Sequence, residues 1–339
     1  MNPAVARTLR WGLTTLIVVF LVVFARTIDW TAAWTAMRGA SLPLLVAAIV
    51  ANFISLAIKG IRWWLFLKPA GAPSLGLATR ATLAGCGLNN IVVANGGDAA
   101  RVVFVTRATG LPSSTVLATL ALERLFDPVG FMILLVFGIV AYPLPASLEK
   151  WGIPAQVALV VILALLIWFV YTSRHSTDSA ETSHKRAPGL FGKVKGYFKG
   201  FAASSRYLTS GPRFAGALLI SMIAWALQVA TFHFAAVAAN VSLPPAAVIA
   251  SLLATNLGLI IRATPGNVGF FQFVFAVAVA PFGIERSEAV AVSLLIQTVQ
   301  IIPITLAGIA LAPEFIFRRR TSGSLSQESD KLAAAARES

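Results

Sequence analysis

Six apolar runs, at residues 11–25, 41–58, 126–142, 156–171, 214–239 and 289–312, decide most of what this chain can become. The hydrocarbon of a bilayer is about 30 Å thick and takes about 20 apolar residues wound as a helix. Hydrophobic residues make up 58% of the chain and charged ones only 12%, too little polar surface for a soluble protein of this length. The fold class is therefore an all-α polytopic membrane protein with about six transmembrane helices.

Two further apolar segments, about 77–94 and 246–282, are interrupted by polar, glycine-rich stretches. The first runs from Asn89 to Asp98 through Asn90, Asn95, Gly96 and Gly97; the second runs from Thr264 to Gln272 through Pro265, Gly266, Asn267 and Gly269. An unpaired amide in hydrocarbon costs several kcal/mol, so irregular backbone at depth survives only against protein or water. Each interruption is a candidate binding element, and the two segments read as glycine-interrupted helical hairpins that either re-enter or span.

The two halves share a pattern. Gly110-Leu111-Pro112-Ser113 follows the first break and Gly283-Ile284-Glu285-Arg286-Ser287 the second, at nearly equal distances from Gly97 and Gly269. Each half runs as an asparagine-bearing segment (Asn90, Asn256), a glycine break, a second segment, a glycine turn, a helix cap and a span. The halves, at about 11–172 and 214–312, read as an inverted repeat, an arrangement in which transporters place substrate at the repeat interface.

Net charge is +14, which in a soluble protein points to nucleic acid. Here its distribution points to topology and to no nucleic-acid partner. The connecting loop 173–213 holds Arg174, Lys185, Arg186, Lys193, Lys195, Lys199, Arg206 and Arg213 against Asp178 and Glu181, and the tail opens with Arg318-Arg319-Arg320. By the positive-inside rule both are cytoplasmic, and six crossings put the amino terminus, with Arg7 and Arg10, on the same side. The integral domain covers 1–317, with 318–339 a disordered cytoplasmic tail, in the cell membrane. The first run could pass for a signal peptide, but Arg26 and Trp30 follow it as interfacial anchors of an uncleaved span. Cys86 is alone, and no CxxC or His/Cys cluster marks a metal. His233, in a span near Gln228, reads as an interhelical hydrogen-bonder.

Charges that enter the membrane region gather in the first half: Asp98, Arg101, Glu123, Arg124 and Asp127, preceded by Arg62 and Arg80. Glu123 and Asp127 are one turn apart and share a helix face. At such depth opposite charges must neutralise one another. Asp98 can do so with Arg101, and Glu123 or Asp127 with Arg62 or Arg101. Two readings stand: buried ion pairs that fix helix register, or a hydrated cavity whose guanidinium and exposed amides suit a lipid phosphate. On the second reading the candidate substrate-binding residues are Arg62, Asn90, Gly97, Asp98, Arg101, Glu123, Arg124 and Asp127. Around the second break they are Asn256, Arg262, Pro265, Gly266, Gly269 and Gln272.

Arg62-Trp63, Asn90, Gly96-Gly97-Asp98-Ala99-Ala100-Arg101, Gly110, Glu123-Arg124-Leu125-Phe126-Asp127, Thr264-Pro265-Gly266-Asn267-Val268-Gly269 and Gly283 together resemble the flippase-like membrane domain of the lysylphosphatidylglycerol synthase family. The likeness runs from about Leu13 to Ala312. The family often has a proline before the first break, where this chain has Val93-Ala94, and a glutamate in place of Asp98. After the second break it often has glutamate where this chain has Phe271-Gln272. The resemblance implies a multi-pass bacterial or archaeal protein related to the module that moves aminoacylated phospholipids between leaflets. In that family aminoacyl transfer belongs to a separate soluble domain, for which the residues after Arg318 are too few.

No P-loop, HExxH or GxSxG is present, so neither a catalytic residue nor a cofactor is expected. The leading expectation is a lipid flippase or transporter. Its cargo would be a membrane lipid with a polar, phosphate-bearing headgroup: an anionic or polar-headgroup phospholipid, or a lipid-linked sugar. A membrane-embedded enzyme using Glu123 or Asp127 as general base is a second class. An accessory subunit whose basic loop docks a cytosolic glycosyltransferase or synthase is a third.

Overall fold

The computed structural model describes residues 22–71, 74–91, 96–143, 145–150, 152–175, 211–258 and 267–317. Among them are helices and no strands. The longer helices are α1 (Trp30–Arg38), α2 (Leu42–Leu67), α3 (Leu75–Ile91), α4 (Gly96–Thr109), α5 (Ser113–Ala141), α6 (Gly152–His175), α7 (Gly211–Ala238), α8 (Pro245–Gly258), α9 (Phe270–Val279) and α10 (Arg286–Phe317), with single turns at Lys68–Ala70, Ala146–Glu149 and Ala280–Phe282. Most of the first apolar run, most of the basic loop and the tail lie outside the described residues; residues 22–26 are helical.

Four described helices are long and apolar enough to cross a membrane: Leu42–Ala70, Ser113–Ala141, Arg213–Ala238 and Arg286–Leu311. They hold four of the six expected spans, and the run at 156–171 lies within α6, which has 24 residues. Pro128 sits inside α5. In a membrane helix such a proline is tolerated because neighbouring groups take up the freed carbonyl.

The glycine-interrupted segments form two pairs of short helices, α3 packed on α4 and α8 on α9. Backbone angles strengthen the repeat. Gly110 and Gly283, which precede α5 and α10, both adopt the left-handed region, at φ 73° and 79°. Gly71 after α2 and Asn240 after α7 do the same, at 86° and 58°. Each half thus runs as a long helix, a left-handed residue, a pair of short helices, a left-handed glycine and a second long helix. Asparagine is among the few residues that tolerate this conformation, which is why Asn240 can stand where the other half has glycine.

The chain divides into two compact units. One, here the arginine unit, comprises Lys59–Leu125, Trp168–Ala217 and Thr305–Ser339; the other, the amide unit, comprises Met1–Ile58, Phe126–Ile167 and Leu218–Ile304. The long helices α2, α5 and α10 each contribute residues to both.

Within the arginine unit, α3 is held by small residues. A Cβ on Gly60 of α2 would lie 2.8 Å from Thr79 Cα, and one on Gly308 of α10 would lie 2.7 Å from Gly87 Cα. Membrane helices without a hydrophobic drive to associate use such close backbone approach to gain dispersion contact. Asn90 Nδ2 adds a hydrogen bond to Thr305 Oγ1 at 3.0 Å. Trp63, Leu67, Ala78, Ala81, Ala84, Val105 and Val116 form the core.

In the amide unit α8 is buried along most of its length, from Ala246 to Leu253. Phe232 lies against Phe271 and Phe275, with ring centroids 6.5 and 6.2 Å apart. Trp225 fills the space a side chain at Gly130 would take.

Candidate functional site

Arg101 of α4 is the centre of the arginine unit. Its side chain is only 4% exposed, and four elements hold it. Its Nη2 donates to Glu123 Oε2 of α5 at 2.7 Å and more weakly to Thr82 Oγ1 of α3 at 3.4 Å. Its Nη1 lies 3.7 Å from Asp98 Oδ1, one turn back. The guanidinium lies over Trp63 of α2, 4.1 Å from the ring centroid, a stacking that a planar cation favours. Trp63 is itself anchored by its indole N–H, which donates to Thr119 Oγ1 at 3.0 Å.

Glu123 faces a second buried guanidinium, Arg62 Nη2, at 3.6 Å from Oε1. Each carboxylate oxygen therefore meets one arginine. Asp98 is partly exposed and pairs on its outer side with Arg124 Nη2, whose side chain is mostly exposed. The pairs form one chain, Arg62 to Glu123 to Arg101 to Asp98 to Arg124. Within this chain Arg101 Nε is buried without a hydrogen-bond partner. An orphaned donor on a buried cation is uncommon and marks a place where an acceptor would be bound strongly.

The first break supplies the frame. Asn89 at the end of α3 accepts the Gly97 N–H through Oδ1 at 2.8 Å, satisfying a first-turn amide of α4. Gly97 lies directly against Gly85, and a Cβ at Gly97 would fall 1.8 Å from the Gly85 carbonyl oxygen. Gly97, expected to line a ligand, is a helix-packing residue. Likewise a Cβ at Gly85 would meet the Arg101 Cγ at 2.5 Å, so this contact also seats the arginine stem.

The structure thus brings together Arg62, Asp98, Arg101, Glu123 and Arg124, with Gly97 beneath them. Asn90 turns to α10 instead. Asp127, one turn beyond Glu123, belongs to the amide unit. Arg80 donates back to the Gly76 carbonyl of its own helix at 3.1 Å.

Around the second break Arg262, Pro265 and Gly266 lie outside the described residues. Gly269, at φ 86°, precedes α9; its N–H donates to Gln272 Oε1 at 2.6 Å, and Gln272 Nε2 donates to Gln297 Oε1 of α10 at 2.7 Å. Asn256 is half-buried and returns its Nδ2 to the Leu252 carbonyl at 2.8 Å.

A neutral network was not foreseen. Gln228 Nε2 donates to Asn52 Oδ1 at 3.0 Å and to Ser55 Oγ at 3.1 Å, and Gln300 Nε2 donates to Gln228 Oε1 at 3.0 Å. The signal was present, since each is an amide or hydroxyl inside an apolar run. His233 does not share it. It faces outward beside the ring of Phe234, because five residues carry it about 140° around the helix from Gln228.

Residues 11–308 match the family described as lysylphosphatidylglycerol synthase TM region. The chain belongs to this family. It is 26% identical over 295 residues to a UPF0104 membrane protein of Pyrococcus horikoshii, covering 80% of this chain and 88% of that protein. It is 23% identical over 304 residues to a UPF0104 membrane protein of Methanothermobacter thermautotrophicus, covering 83% and 88%. The family match takes in the whole arginine chain and both breaks.

Proposed function

We propose that this member of the family moves a lipid with a phosphate-bearing headgroup between leaflets, and that Arg101 engages the phosphate. The observation that carries this reading is the buried, unpartnered Nε of a guanidinium held by Trp63 and Glu123 beside a glycine break. A guanidinium binds phosphate through a planar fork, which suits it to a headgroup better than a point charge would. Against catalysis by Glu123 stands its geometry: both of its oxygens already face guanidiniums. A general base needs a lone pair directed at substrate. On this reading the protein works in the cell membrane and needs no cofactor.

Leaflet-resolved lipid labelling in liposomes tests the reading. Arg101→Ala is expected to lower movement of an anionic phospholipid at least about tenfold, the loss of one charge-assisted hydrogen bond. Arg101→Lys should restore only part of it. Unchanged movement in Arg101→Ala, in a variant shown to be folded, would discard the phosphate role.

The termini are placed in the cytoplasm on the basic residues of loop 173–213 and of the tail. Cysteines introduced at Ser179 and Ser322, in a Cys86→Ser background, should resist a membrane-impermeant maleimide in intact cells and react after lysis. Labelling of either from outside would reverse the topology.

A further inference from the structure

Two carboxylates flank the Arg101 guanidinium, and they are not alike. Glu123 is 8% exposed, accepts from Arg101 Nη2 at 2.7 Å and faces a second buried guanidinium, Arg62, so it is fixed on both sides. Asp98 is 24% exposed and lies 3.7 Å from Arg101 Nη1, beyond hydrogen-bond length. Its hydrogen bond runs the other way: Oδ2 accepts from Arg124 Nη2, on a side chain that is 60% exposed. Asp98 therefore compensates the charge of Arg101 without being hydrogen-bonded to it. The four residues before α4, Val92, Val93, Ala94 and Asn95, carry no charge that could serve instead.

From this asymmetry we infer that Asp98 is an exchangeable counter-ion, a specificity-setting residue that neutralises Arg101 when no lipid phosphate is bound and moves out to Arg124 when one is. The inference rests on the phosphate reading of Arg101 and adds what governs loading and release. A third anion beside Arg101 would face two carboxylates, so a bound phosphate displaces one of them. Glu123 is the wrong one to leave, because breaking a buried pair strands a desolvated cation. Asp98 can leave, because its surface partner is already in place and a partly exposed ion pair contributes little. Without Asp98, an unloaded Arg101 would keep only a carboxylate that it shares with Arg62, and a buried cation short of counter-charge is costly in a membrane. Asp98 thus opposes loading and permits release. The plain alternative is an acidic residue in the first turn of α4, favourable at the positive end of the helix dipole. That role changes stability and leaves lipid binding alone.

The full chain is exchanged into phosphatidylcholine nanodiscs containing phosphatidylglycerol, and native mass spectrometry reads how much phosphatidylglycerol stays bound. Asp98→Asn keeps the side-chain shape and an acceptor oxygen while removing the charge. It is expected to raise retention about tenfold, the worth of one charge-assisted hydrogen bond. In liposomes the same variant should slow net movement of labelled phosphatidylglycerol about tenfold. Exchange of labelled for unlabelled phosphatidylglycerol should be spared, since exchange never returns the unloaded site. In an Arg101→Ala background the gain in binding should vanish; a gain that persists there would be a general charge effect and would overturn the inference. Retention unchanged or lowered in Asp98→Asn would overturn it too, as would net movement and exchange reduced alike. Should Asp98→Asn not fold, Arg124→Gln probes the same step from a surface position. Removing the outer partner should lower retention about threefold, and unchanged retention would reject the inference. Arg101→Ala alone separates the two readings. If it leaves retention intact, the phosphate role and the counter-ion both fall; a loss there without a gain in Asp98→Asn keeps the phosphate role and rejects the counter-ion.

Discussion

Gly97→Ala is expected to be among the most destabilising single substitutions in the chain. Its methyl would lie 1.8 Å from the Gly85 carbonyl oxygen and 2.6 Å from Asn89 Cγ. The first of these is backbone of a packed helix, so no rotamer change relieves it, and α3 and α4 must separate. Separation also breaks the Asn89 cap on the Gly97 N–H and moves the stem of Arg101, which rests on Gly85. Overpacking of this kind costs about 3 kcal/mol. Gly76→Ala is the matched control: no atom lies within 4 Å of its added methyl, and alanine in a helix should gain up to about 1 kcal/mol. Thermal melts in mild detergent should show a fall of several degrees for Gly97→Ala and none for Gly76→Ala. Equal melting of both would mean that the α3–α4 contact is not as close as described.

Glu123→Gln carries the second large effect. The glutamate stands between two buried guanidiniums, at 3.6 Å from Arg62 and 2.7 Å from Arg101. Neutralising it leaves cations without their shared counter-charge, and breaking a buried pair in this way costs about 3–5 kcal/mol. Removing both members is milder than removing one, because no uncompensated charge of that pair remains. The double variant Glu123→Gln, Arg101→Gln should therefore be more stable than the sum of the two single losses implies, with a coupling of at least about 1 kcal/mol. Strictly additive losses would show that the two side chains do not interact.

The limits of sequence reading are visible residue by residue. Asp98 and Arg101 are three apart on one helix, so their pairing was legible. That Glu123 is shared by Arg62 and Arg101 was open among several pairings, because the partners come from three helices. Arg124 was expected in the same cluster as Asp98, but their direct pairing was not specified, since 26 residues separate them. Gly97 stands out in the sequence as exceptional, but its role there is ambiguous. A glycine in a polar break can admit a ligand or another backbone, and only the position of Gly85 decides for the second. His233 was read as an interhelical bond because a buried imidazole needs a partner; which face of α7 is buried depends on what packs there.

The sequence by itself determined that this is a helical membrane protein, where its long helices fall, and that two polar glycine breaks recur in a repeated order. Those properties follow from transfer free energy and backbone preference, which accumulate along consecutive residues and need no knowledge of neighbours. The tertiary structure decided which charges meet, which donor at Arg101 is left over, and which glycines are contacts. Ion pairs and close approaches depend on distances of a few ångströms between segments remote in the chain, and no local pattern encodes them.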